Sequence, residues 1–87
     1  MPRVFIPPQM RDLTQGVAEV QLAAETLREV IAQLEQRFPG MDQRLCRDQA
    51  LNPTLQVSID QQMMQRSLSA KLGPQSEVHF LPAIGGG

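Results

Sequence analysis

Few side chains in this 87-residue chain are equipped for chemistry. There is one histidine, His79, and one cysteine, Cys46. His79 alternates with Val78 and Phe80, which turns it to the solvent side of a strand; such a histidine meets water or a partner far more often than it ligates a metal or acts as a base. Cys46 has no CxxC partner and no histidine nearby, so its thiol reads as a small packed group rather than a nucleophile or a zinc ligand. Asp12, Asp42, Asp48 and Asp60 match no metal loop, and no phosphate-binding glycine motif precedes a helix. No metal or cofactor site is expected on the chain, and without convergent titratable groups it is not expected to be an enzyme by itself. What remains is the end of the sequence, Glu77-Val78-His79-Phe80-Leu81-Pro82-Ala83-Ile84-Gly85-Gly86-Gly87. Glycines carry no Cβ, so such a tail could thread a narrow channel and present the Gly87 carboxyl group to another protein's active site. A frayed terminus has the same composition, and composition alone favours that reading.

An element must root the tail. Glu77 to Leu81 alternates with a period of two and reads as a strand. Pro82 lacks a backbone donor, so strand pairing is expected to stop there. The six residues from Pro82 onward then span about 20 Å, at roughly 3.3–3.6 Å per residue. This divides the chain into a folded domain over 1–81 and a flexible tail over 82–87.

The remaining elements follow from pattern. Arg3-Val4-Phe5-Ile6 is a short β-prone run closed by Pro7-Pro8. Met10 to Gly16 is turn-rich, and Val17 to Leu22 alternates with Ala18, Val20 and Leu22 on one face, which predicts an antiparallel hairpin. Thr26-Leu27-Arg28-Glu29 fits a capping box, with Thr26 accepting from the Glu29 amide while the Glu29 side chain reaches back. Leu27, Val30, Ile31, Leu34 and Phe38 form one helical stripe, ended by Pro39-Gly40. Met41 to Pro53 is polar and irregular, with at most a helical turn over Gln43 to Arg47. Leu55 to Asp60 alternates cleanly as a strand. Gln61 to Lys71 is ambiguous; Met63, Met64 and Leu68 are expected over an edge of the core. Gly73-Pro74-Gln75-Ser76 turns the chain into the last strand. A hairpin, a crossing helix and later strands make an α+β roll, a mixed sheet of four to five strands packed on one main helix, with the last strand inside the sheet. This is the β-grasp arrangement of ubiquitin.

Composition narrows the partners. The formal charge is −1, with three phenylalanines and neither tryptophan nor tyrosine to stack a base. Both features argue against nucleic acid. No apolar run approaches a membrane span and the N-terminus lacks signal-peptide character, so no membrane partner and a cytoplasmic location are expected.

Taken together, Arg3-Val4-Phe5-Ile6-Pro7-Pro8-Gln9-Met10-Arg11-Asp12-Leu13, the run Thr26 to Ile31 with Leu34 and Phe38-Pro39-Gly40, and Ser76 to Ile84 with the closing glycines resemble the MoaD/ThiS sulfur-carrier family. The likeness covers essentially the whole chain, and the Leu-Pro-Ala ending is most similar to the carriers that supply sulfur for cysteine synthesis. Where family members carry a small residue before a glycine pair, Gly85 stands here and Gly86-Gly87 form the pair. Gly73-Pro74-Gln75-Ser76 departs from the acidic residue and glycine common at that turn.

The resemblance implies that an E1-like adenylating enzyme activates the Gly87 carboxylate with ATP, and that a sulfur donor converts the adenylate to a thiocarboxylate used by a sulfur-accepting biosynthetic enzyme. Magnesium, ATP and any zinc would belong to the partner. Pro82, Ile84, Gly85 and Gly86 would insert with the tail, and a face of Phe5, His79 and Leu81 would meet the partner at its root; simple burial of Phe5 at an edge is equally compatible with its position. The receiving pathway (cysteine, molybdopterin, thiamine or a related metabolite) stays open, as does a place as the small subunit of a synthase. Two alternatives stand beside the carrier: a ubiquitin-like modifier joined to lysines, and a β-grasp interaction module with an inert tail.

Overall fold

The computed structural model describes residues 1–63 and 67–82. In chain order the elements are β1 (Arg3–Phe5), β2 (Glu19–Gln21), α1 (Leu27–Arg37), α2 (Met41–Leu45), β3 (Cys46–Arg47), β4 (Ala50–Leu51), β5 (Leu55–Ile59), β6 (Gln62–Met63) and β7 (Glu77–Pro82), with a 3-10 turn at Pro8–Met10. Five strands form one sheet in the order β2-β1-β7-β5-β6. β1 and β7 run parallel, while β1–β2, β5–β7 and β5–β6 are antiparallel. The expected mixed sheet with a central last strand is the one observed.

Side-chain parity sorts the sheet into two faces. Val4, Ile6, Val20, Leu22, Val57, Ile59, Val78 and Phe80 turn inward and join Leu27, Val30, Ile31 and Leu34 of α1 in one core. Ala18, expected beside Val20 and Leu22, is exposed, because β2 begins only at Glu19. The start of α1 is fixed as its sequence predicts: Thr26 Oγ1 accepts from the Glu29 amide at 3.3 Å. The reciprocal bond differs in its donor, for the Glu29 carboxylate accepts from the Glu25 amide at 2.8 Å, one residue further out than a capping box requires.

Three segments depart from the sequence pattern. Met41 to Pro53 is not irregular: it holds α2 and the β3–β4 hairpin, closed by a two-residue turn at Asp48-Gln49. Glu35 supplies the cap for α2, its carboxylate accepting from the Gly40 amide at 3.1 Å and the Asp42 amide at 2.9 Å. Within Gln61 to Lys71, β6 pairs with β5 and Lys71 bridges to Thr26; Leu68 is buried as expected, and Met64 lies outside the described residues. Strand β7 also continues one residue beyond its predicted end, with Pro82 opposite Leu55. A proline withdraws only a donor and keeps its carbonyl, which a terminal strand position tolerates. Among the described residues no helix is long and apolar enough to cross a membrane.

Candidate functional site

The site is built on the outer face of β7. Its parallel register against β1 sets Arg3 beside Glu77 and Phe5 beside His79, while its antiparallel register against β5 sets His79 opposite Ser58 and Leu81 opposite Gln56. Phe5 and His79 therefore stack, ring centroids 4.2 Å apart and planes 5° from parallel. Phe5 is neither free nor hidden at an edge; it is half-buried under this stack. Leu81, two residues nearer the tail, is 37% exposed on the same face. An aromatic pair and a leucine thus lie together at the point where the chain leaves the sheet.

Charge frames this apolar centre. The Glu77 carboxylate accepts from the Arg3 guanidinium and lies 3.7 Å from His79 Nε2. Arg3 also reaches Glu19 across β2 at 3.8 Å, and its guanidinium carbon sits 5.8 Å from the Phe5 ring centre, within range of a cation–π contact. Arg3 and Glu77 share the strand parity of Phe5 and His79, yet sequence pattern alone does not assign them to this site. What hides them is the pairing: β1 and β7 lie at opposite ends of the chain, and no local pattern states that they are neighbours.

The far end of β7 is clamped. Asp60, in the turn after β5, accepts from Ser76 Oγ at 2.8 Å and from the Glu77 amide at 2.9 Å, and its own amide donates to the Glu77 carbonyl at 3.0 Å. The Ser76 carbonyl accepts from the Arg3 amide, and Ser76 Oγ accepts from the Gly73 amide at 2.8 Å. The strand that carries the tail is held on both sides and at its start. Pro82 closes the described strand, and Ile84, Gly85, Gly86 and Gly87 lie outside the described residues.

The other candidates scatter. Cys46 is half-buried at the junction of α2 and β3, packed against the core. Burial pushes its thiol up, the Asp42 carboxylate adds to this by charge and by a hydrogen bond, and Arg28 partly offsets them. Such a thiol is a poor nucleophile near neutral pH. Asp12 pairs with Arg44 at 3.1 Å. Among the described residues no three histidine, cysteine or carboxylate groups gather to hold a metal.

Comparison with known proteins decides the family. The ThiS family model matches residues 4–87, almost the entire sequence. The chain belongs to the ThiS family. Solved structures agree. In the crystal structure of the Amycolatopsis orientalis BexX/CysO complex, a chain 27% identical superposes with a TM-score of 0.90, each chain covered over 100% of its length. Mycobacterium tuberculosis CysO, described as an antigen, is 25% identical with a TM-score of 0.87, covering 97% of this chain and 100% of its own. The small archaeal modifier protein 1 from Methanosarcina acetivorans shares the fold with a TM-score of 0.81, 99% of this chain and 95% of its own covered, at 19% identity. No curated protein sequence matches the chain. By family and fold this ThiS protein is a ubiquitin-like sulfur carrier of the β-grasp class.

Proposed function

We propose that the chain carries sulfur as a thiocarboxylate on Gly87, at the end of a tail that works inside partner enzymes. The observation that supports this most directly is the placement of β7. The tail follows the central strand of the sheet, which is paired on both sides and clamped by Asp60 at its start. A rigid root with a short glycine-rich tip suits delivery of one carboxyl group to a fixed depth. Counting from Pro82, residues 83–87 reach roughly 17 Å at about 3.4 Å each.

The chemistry follows from the poor electrophilicity of a carboxylate. In the proposed reaction a Gly87 oxygen attacks the α-phosphate of ATP on an E1-like partner, and pyrophosphate leaves. A sulfur nucleophile then adds to the acyl carbon, AMP departs, and the thiocarboxylate keeps a nucleophilic sulfur on its carrier. That sulfur passes to an acceptor in the synthesis of cysteine, molybdopterin, thiamine or a related metabolite; the Leu81-Pro82-Ala83 ending favours the cysteine route. ATP, magnesium and any zinc are held by the partner. Gly85 and Gly86 leave the channel tight enough to keep water from the adenylate. Phe5, His79 and Leu81 form the docking face at the tail root, and Pro82 and Ile84 set the line along which the tail enters. A relative of 27% identity crystallised in a BexX/CysO complex, which supports a partner-bound working state.

Intact-protein mass spectrometry of the chain with its native partners, before and after ATP and sulfide, tests the proposal. The expected result is a mass gain equal to one oxygen replaced by sulfur, localised to Gly87. Lysine-linked conjugates without that species would assign the chain as a protein modifier instead.

A further inference from the structure

The Glu77 side chain occupies a place in the outer face that stability does not explain. Its backbone is fixed without it: the Glu77 amide donates to the Asp60 carboxylate at 2.9 Å, and the Glu77 carbonyl accepts from the Asp60 amide at 3.0 Å. The two oxygens of the Glu77 carboxylate serve different neighbours. Oε2 accepts from Arg3 Nη2, and Oε1 lies 3.7 Å from His79 Nε2. Among the described residues no other carboxylate pairs with His79, and Arg3 has only Glu19 besides, at 3.8 Å across β2. The three side chains are between 34% and 43% exposed, and ion pairs so open to water add little to folding. What the carboxylate fixes is orientation. His79 lies on Phe5 with the ring planes 5° from parallel, and the Arg3 guanidinium carbon stands 5.8 Å from the Phe5 ring centre. One carboxylate thus ties down both side chains set against that ring.

We infer that Glu77 is a positioning residue for partner docking, acting through the Phe5–His79 stack rather than by touching the partner. This role rests on the carrier reading, in which Phe5, His79 and Leu81 meet the adenylating enzyme. An exposed imidazole has its own side-chain torsions to fix, and every side chain that must be immobilised on binding costs affinity. Holding the ring flat on Phe5 in the free chain removes that cost from the docking step. Gly87 is five residues beyond Pro82, so the ordering of the face acts on KM and leaves kcat alone.

The test measures pyrophosphate release by the adenylating partner against carrier concentration, for the wild-type chain, Glu77→Ala and Glu77→Gln. Glu77→Ala is expected to raise KM about three- to tenfold, the ordering cost of one or two side chains, with kcat unchanged. Glu77→Gln recovers part of the loss, because its amide still accepts from Arg3 and reaches His79. In a His79→Ala chain, Glu77→Ala adds no further loss, since the ring it orients is gone. A second readout needs no partner. His79 is the chain's one histidine, so carbon–proton NMR of the free chain reports its ring alone. Ring protons held over Phe5 are shifted upfield, and Glu77→Ala moves them toward the values of an unstacked imidazole at every pH from about 5 to 9. A raised KM with the ring signals in place would mean that Glu77 meets the partner directly. Displaced ring signals with KM unchanged would mean that docking does not read the stack. Either result overturns the role, as does an additive loss in the His79→Ala chain. No pyrophosphate release from the wild-type chain would overturn the carrier reading, and the role with it.

Discussion

At the root of the tail two rings share one patch of sheet. The Phe5–His79 stack joins residues from strands 74 positions apart at the Arg3–Glu77 pair beside it, so it reports on the parallel pairing of β1 with β7. An offset or stacked aromatic pair contributes about 0.5–1.5 kcal/mol beyond its buried area. As the flat, rigid centre of a face it shares with His79 and Leu81, Phe5 is also the side chain best suited to anchor a partner. Phe5→Ala is expected to slow partner-catalysed adenylation at sub-saturating carrier by roughly tenfold, as for a moderate interface anchor. Its folding cost, roughly 1–2 kcal/mol, leaves the chain folded at 25 °C. Pyrophosphate release measured against carrier concentration checks this. An unchanged kcat/KM would remove the outer face from docking and leave the tail as the whole contact. Glu77 links the same stack to charge, since one carboxylate serves both Arg3 and His79.

Among the elements, the short turns carry more of the architecture than their length implies. Asp60 ties the β5–β6 turn to the first residues of β7 by two accepted hydrogen bonds. Asp60→Ala is expected to lower stability by about 1–3 kcal/mol, through unmet donors and through a Cβ-bearing residue without a local bond at φ 54°. Asp60→Asn, which keeps an acceptor and tolerates the left-handed region, recovers most of the loss in urea unfolding. Equal losses in both variants would mean that charge, not geometry, holds the clamp. The next residue, Gln61, sits at φ 69° and Gln49 at φ 63°, so both two-residue hairpin turns read Asp-Gln where Asp-Gly is the common solution. Gln61→Gly relieves the left-handed strain but adds freedom to the unfolded chain; the balance is a gain of about 0.5 kcal/mol, measurable as a higher urea midpoint. A lower midpoint would show that the glutamine side chain contributes something its exposed position does not reveal.

These turns also explain what was legible in the sequence. α1 is written in a five-residue apolar stripe with its cap, and β5 and β7 in clean alternation, because each has one buried face long enough to impose a period. α2, β3 and β4 are too short to show any period, and without a glycine their turn gives no local signal. The parity of His79 and Leu81 was readable along β7. Their meeting with Phe5, Arg3 and Glu77 was not, since a parallel pairing of the two chain ends is fixed by the crossing helix and the shared core rather than by any residue in either strand.

For the molecule as a whole, folding and transfer are assigned to different residues. Among the described residues, the core side chains, both caps and the β7 clamp lie in the folded domain, and the proposed reacting group is on Gly87. Deleting Gly87 should therefore leave the unfolding midpoint unchanged within error while abolishing thiocarboxylate formation, because the shortened carboxylate stops about 3.4 Å short of the reacting phosphate. Gly87→Ala keeps the length but adds a methyl group where the channel must exclude water, and the same loss is expected. Circular dichroism melts and intact-mass analysis of both variants with ATP and sulfide separate the two effects. A deletion variant that still gains sulfur would show that the partner reads the docking face and adapts to the tail. In that case the rigid root at β7, rather than the terminal glycine, would be what sets the reaction.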